Sequence, residues 1–134
     1  MENKKEMERI KYLLSDNNFP IYINFMSKVD NDLFGEYSIK VNANCSDEEL
    51  SGFYTNRFNY PSWYIFLDKN KDRKVTYLVI DLNSSTIEEQ ARFIGLVKDR
   101  KHQTLEIPDN CKIIVISDKD TQINSEFLSC LVRV

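Results

Sequence analysis

Two runs of β-branched residues, separated by one segment with helical spacing, constrain this chain more than anything else in it. Val75 to Asp81 reads Val-Thr-Tyr-Leu-Val-Ile-Asp, and Lys112 to Asp118 reads Lys-Ile-Ile-Val-Ile-Ser-Asp. Neither run alternates apolar with polar positions, so each is expected to be a strand buried on both faces. Between them, Ser85 to Arg100 places Ile87, Ala91, Ile94 and Val97 at helical spacing. Strand, helix, strand in that order implies a right-handed crossover and a parallel pair. Both strands end on an aspartate, and open α/β sheets bind ligands beyond the carboxyl ends of their strands. Asp81 and Asp118 therefore mark the first place to look for chemistry.

The rest of the chain continues the alternation. Residues 2–15 put Met7, Ile10, Leu13 and Leu14 on one helical face, and Asp16-Asn17-Asn18 with Pro20 ends that helix. Pro20 to Met26 is expected to be a short apolar strand, 32–37 a short helix, and Ser38 to Ala43 a half-buried edge strand. Ser46-Asp47-Glu48-Glu49 fits a capping box. The helix it opens is expected to run toward Asn59-Tyr60-Pro61 and to turn Leu50, Phe53 and Tyr54 to the core. Ser62 to Leu67 is read as a helix, because the charged connector Asp68 to Lys74 follows it. Ser85-Thr86-Ile87-Glu88 is a second capping-box pattern, Lys101 to Asn110 a connector, Ser125 to Leu131 a short helix, and Leu131 to Val134 a final short strand. The order predicts a three-layer α/β sandwich around a mostly parallel central sheet. With 134 residues and no linker-like stretch, residues 1–134 are expected to form one domain, with the helix over 2–15 packed on it.

Composition narrows the function classes. Hydrophobic residues are 42% and charged residues 29%, which excludes a disordered chain. A net charge of −3 disfavours a nucleic-acid surface. No apolar run reaches the roughly 20 residues that span a bilayer, and the start of the chain lacks an apolar signal core. A cytoplasmic location, without membrane contact, is the expectation. Cys45, Cys111 and Cys130 are scattered and show no CxxC spacing, so single buried thiols are expected rather than disulfides or a zinc site. Only three glycines are present, a scarcity that bears on phosphate binding.

From Tyr77 onward the parts follow a familiar order. Leu78-Val79-Ile80-Asp81 looks like a Walker B strand, and Ser85 to Arg100 like the helix that follows one. The stretch from Leu105 to Val115 looks like a lead into a sensor 1 strand, and Ile123 to Ser129 like the next helix. Together they resemble the AAA+ ATPase core, above all its MoxR-like and McrB-like branches, mainly over 77–134. The resemblance implies a P-loop-like topology. It also exposes departures. The place of the Walker A loop reads Ser27-Lys28-Val29-Asp30-Asn31, without the glycines whose amides would wrap phosphate. The second Walker B carboxylate is replaced by Leu82, the sensor 1 candidates are Ser117 and Asp118, and the arginine-finger place falls near Cys130, with Arg133 displaced. A finger of this kind contributes roughly 10³–10⁵ in rate. Loss of several such parts implies a scaffold kept without its ATP chemistry, and no cofactor is expected.

Other readings compete at particular residues. Asp81, Asp118 and Asp120 offer carboxylates for Mg²⁺, and the Asp118-Lys119-Asp120 pattern is similar to that of Toprim nucleases and primases. A metal-dependent nuclease or phosphotransfer domain, or an ATP-binding AAA+ subunit, is thus the alternative function. The structural counterpart is that these aspartates cap turns. His102, the only histidine, stands in a basic connector and is expected to be solvated. Tyr and Trp are enriched at binding hot spots, so the cluster from Phe53 to Trp63, with Tyr60, Trp63 and Tyr64 as its candidate interaction residues, is the expected protein-facing surface. The partner it implies is an active AAA+ protein or a second copy of this chain; nucleic acid is the less favoured partner. The leading expectation is therefore a non-catalytic binding or assembly module.

Overall fold

The computed structural model describes residues 19–23 and 37–133. The main elements in chain order are β1 (Ile21–Ile23), β2 (Ser38–Asn42), α1 (Asp47–Ser51), β3 (Phe53–Tyr54), β4 (Phe58–Asn59), α2 (Ser62–Lys69) and β5 (Thr76–Asp81). They continue with α3 (Ile87–Ala91), α4 (Ile94–Asp99), β6 (Lys101–His102), β7 (Leu105–Glu106), β8 (Cys111–Ile116), α5 (Ser125–Ser129) and β9 (Val132–Arg133). The helix expected over 2–15, the residues 24–26 of the first strand, and the short helix over 32–37 apart from Tyr37 lie outside the described residues.

Five strands form one sheet in the order β2-β5-β8-β1-β9, and every pairing in it is parallel. The expected parallel pair is its centre: Leu78 lies beside Ile113, and Asp81 beside Ile116. Continuous apolar runs suit these strands because both sheet faces are dry. On one face Ile80, Leu78, Ile113 and Val115 join the core with Leu50, Trp63, Leu67, Phe93, Leu96 and Phe127 from the helices and their flanks. On the other, Ile21, Ile23, Val79, Ile114 and Ile116 are just as deeply buried. The chain is thus an α/β protein with a central parallel sheet flanked by helices, consistent with the three-layer sandwich. As expected, β2 is half-buried and forms an edge of the sheet among the described residues. Ser62–Lys69 is helical, and a short strand closes the described chain.

Four local expectations need correction. The helix opened by Ser46 ends at Ser51, not near Asn59. Its capping box forms as predicted, but Gly52 at φ +82° turns the chain out, and Phe53–Tyr54 pairs antiparallel with Phe58–Asn59 as a hairpin. Phe53 and Tyr54 therefore point to solvent, 44% and 80% exposed, while Leu50 alone of the expected trio is buried. The second capping box is set one residue later. The Thr86 hydroxyl accepts from the Glu89 N–H, and Glu89 accepts from the Thr86 N–H, while Ser85 donates to the Leu82 carbonyl. That helix is also split at Arg92–Phe93, where Arg92 reaches outward to Asp47 and Phe93 drops fully into the core. The connector 101–110 holds a second small hairpin, β6 with β7.

Candidate functional site

Two regions carry the residues that the sequence marks as chemical or interactive. The first is the carboxyl end of β5 and β8. Asp81 is mostly buried, lies 3.6 Å from the Lys40 ammonium and accepts from the Asn83 N–H at 2.9 Å. Asn83 then accepts from the Asp118 N–H at 2.7 Å, so one side chain ties the two strand ends together. The Asp118 carboxylate caps the turn after β8, accepting from the N–H groups of Asp120 and Thr121 and from the Thr121 hydroxyl at 3.1, 2.9 and 2.7 Å. Those donors stabilise its charged form, the Thr121 hydroxyl first, and hold its pKa below the ordinary carboxylate value. Asp120 is exposed. No group of three His, Cys, Asp or Glu side chains able to hold a metal ion occurs among the described residues.

Adjacent to this end, β1 and β8 lie side by side while their chain-order successors, β2 and β9, lie in opposite directions across the sheet. That is a topological switch point, where open α/β sheets leave a crevice. On the β8 side of this point Ser117 is fully buried, its hydroxyl bonded to that of Tyr22 and its N–H donating to the Ile23 carbonyl. The place matched to a Walker A loop, Ser27 to Asn31, lies outside the described residues. Leu82 is fully buried in the core, Cys130 is half-buried, and Arg133 is exposed on β9.

Beyond the turn capped by Asp118, buried Gln90 donates to the Gln122 carbonyl and accepts from the Asn124 N–H, fastening the 121–124 segment to α3. Asn124 in turn caps α5 through the Phe127 N–H and donates to the Ile87 carbonyl. Asn83 and Asn124 do not stand out in the sequence, because a polar residue in a turn or cap leaves no periodic signal, and Gln90 does not because one polar residue inside a helix does not mark itself as buried.

The second region is the hairpin and the start of α2. Tyr54, Phe58, Tyr60 and Tyr64 form a chain of rings with centroids 4.9, 4.9 and 5.2 Å apart. Aromatic pairs at such spacings hold one another in fixed orientations. Tyr60 is 50% exposed and Tyr64 half-buried. Trp63, grouped with them by sequence, belongs to the core instead: it is 1% exposed, and its indole N–H donates to the Leu50 carbonyl at 2.8 Å. Phe53 and Tyr54 take its place at the surface. A polar Thr55-Asn56-Arg57 turn between two aromatic pairs is the sequence signal that would have shown the hairpin.

His102 is not the solvated side chain expected. It is half-buried, 2.7 Å from the Ser51 hydroxyl through Nε2, and burial, helped by the Arg92 charge, pushes its pKa below the ordinary value. A serine nucleophile would also need an orienting group on the other imidazole nitrogen. No carboxylate among the described residues is hydrogen-bonded there, so the pair reads as a structural tie between α1 and β6. Cys111 is buried and its thiol pushed up to about 11 by burial. Cys45 is half-buried and raised for the same reason, so neither is an activated thiolate.

A scan against protein-family models gives no match for this chain, and a search among curated proteins gives none. No helix among the described residues is long and apolar enough to cross a membrane.

Proposed function

We propose that this chain is a non-catalytic binding or assembly module that acts through protein contacts on an AAA+-like scaffold. One observation carries the reading. Of six exposed large hydrophobic residues among those described, four fall between positions 53 and 65: Phe53, Tyr54, Tyr60 and Ile65. Scattered single apolar residues are ordinary at a surface, but a contiguous apolar patch marks an interaction site, and Phe58 joins Tyr54 to Tyr60 in one run of rings. Tyr supplies contact area at low cost in side-chain freedom, which suits it to such surfaces. The scaffold half of the reading draws on the sequence resemblance over 77–134 and on a parallel sheet whose first strand lies in its interior. Partners of the kind expected are an active AAA+ protein or a second copy of the chain.

Recovery of cross-linked partners from the native host tests the reading. Tyr54→Ala with Tyr60→Ala is expected to abolish capture of a specific partner, and Asp81→Asn to leave it intact. Calorimetric binding of MgATP with hydrolysis that vanishes in Asp81→Asn would replace this reading with the ATP-binding one. Saturable Mg²⁺ binding that is lost with Asp118→Asn would favour the nuclease or phosphotransfer alternative.

A further inference from the structure

Two clefts meet beside the aromatic face. The larger, about 300 Å³, opens between the first turn of α1 and the start of α2, walled by Glu48, Glu49, Phe53, Tyr60 and Pro61. The smaller, about 160 Å³, runs along four consecutive residues of the edge strand β2, Ile39 to Asn42. Glu49 and Ser62 line both, so the clefts adjoin along one groove wall, and Lys40, which lines the smaller one, is paired with Asp81. No basic residue lines the larger cleft. The Glu49 carboxylate is engaged by the capping box, and Asp47, on the same turn, pairs with Arg92. Glu48 is exposed and takes part in no salt bridge among the described residues.

We infer that this groove binds an extended segment of a partner protein and that its acidic, aromatic end takes an arginine side chain of that segment. The inference rests on the reading that the aromatic face is the partner-facing surface, and it names what that surface recognises. Aromatic faces attract cations through the ring quadrupole, and carboxylates attract the same group through charge. A cation between Glu48 and the Phe53 and Tyr60 rings meets both attractions, whereas an anion meets repulsion from both. A planar guanidinium can stack on a ring and pair with a carboxylate at once, which a lysine ammonium cannot. The volume lies at the bottom of the roughly 300–1,000 Å³ range of small-molecule pockets, so it suits one long side chain better than a cofactor. The edge strand gives the direction. A segment laid along a sheet edge is extended, and its alternate side chains fall on one side, as in recognition by strand addition.

Fluorescence anisotropy on the full 134-residue chain tests this with a labelled Gly-Val-Arg-Val-Arg-Val-Gly peptide and its lysine and glutamate counterparts. The arginine peptide is expected to bind, the lysine peptide more weakly and the glutamate peptide not at all. Affinity should fall as salt screens the contact. Glu48→Arg, a change at an exposed position that leaves the fold in place, should weaken the arginine peptide by about tenfold or more, the scale of a close charge pair at an interface. Glu126→Gln, which removes an exposed carboxylate on α5 outside the aromatic face and the cleft lining, should leave peptide binding unchanged. Equal affinity for the arginine and glutamate peptides, no binding of any peptide, or a silent Glu48→Arg overturns the inference. If Tyr54→Ala with Tyr60→Ala then still abolishes partner capture, the aromatic-face reading survives while the arginine occupant does not.

Discussion

The carboxyl end of the central sheet and the hairpin face differ in what their side chains are committed to. At the sheet end, Asp81 pairs with Lys40, Asn83 bridges to the Asp118 N–H, and Asp118 closes its own turn. The hairpin face leaves Phe53, Tyr54 and Tyr60 exposed to water, the two tyrosines held in place by ring contacts with Phe58. A residue that looks chemical in sequence can be fully occupied with stabilising its own loop, while an ordinary-looking aromatic pair is left available. Hydrogen-bond commitments, rather than residue type, separate the two regions.

The largest expected effect draws the line inside the aromatic cluster. Trp63→Ala should cost about 3–5 kcal/mol of stability, the range for truncating a buried aromatic, and it also leaves the Leu50 carbonyl without its donor. Urea unfolding monitored by circular dichroism measures it. If Trp63→Ala cost no more than a surface change, the division between core and interaction residues would fail. Gly52→Ala comes next, at about 1–3 kcal/mol, because a left-handed backbone is strained for alanine and a Cβ there would sit 2.4 Å from the Asn59 carbonyl oxygen. The same unfolding series measures it, and altered amide shifts for 53–59 would show the hairpin moving.

At the sheet end, Asp118→Ala should lower the melting temperature and the hydrogen-exchange protection of Asp120 and Thr121. The pH dependence has a definite sign. Asp118 has a depressed folded pKa, so its stabilisation is present above the ordinary carboxylate range and is lost as pH falls through the folded value. His102 acts in a higher window. Its folded pKa is also depressed, so on acidification below about 6.5 the unfolded chain takes up the proton first and the folded state loses stability. That loss levels off below the folded value, and His102→Gln should flatten it in denaturation curves taken across roughly pH 8 to 5. The smallest expected effect is Tyr54→Ala, within about 0.5 kcal/mol by urea unfolding, as for surface positions generally. A large loss there would make Tyr54 structural and remove it from the proposed interface.

Much of the fold is legible in the chain because the signals are redundant. Val75 to Asp81 and Lys112 to Asp118 announce buried parallel strands by continuous apolar runs, and Ser46 with Glu49 announces a helix start. The helix end was not legible in the same way. Apolar spacing through Leu50, Phe53 and Tyr54 continues a helical pattern, and only Gly52, at positive φ, breaks it. Split helix Ser85 to Arg100 fails for a related reason: periodicity is blind to a bend that lets Phe93 sink and Arg92 reach Asp47. The candidate site was legible only in part. Sequence placed Asp81 and Asp118 at adjacent strand ends, but their partners, Asn83 and Thr121, are turn residues that no pattern distinguishes. Of the expected interaction residues Tyr60 is exposed, Tyr64 half-buried and Trp63 in the core, while Phe53 and Tyr54 are exposed because the chain turns out at Gly52 into a hairpin.

Partner recovery from the native host by cross-linking, compared between Tyr54→Ala with Tyr60→Ala and Asp81→Asn with Asp118→Asn, tests the central claim most directly. The aromatic pair of changes is expected to abolish recovery of a specific protein and the aspartate pair to leave it intact. Undiminished recovery with the aromatic changes, together with loss on the aspartate changes, would contradict the claim.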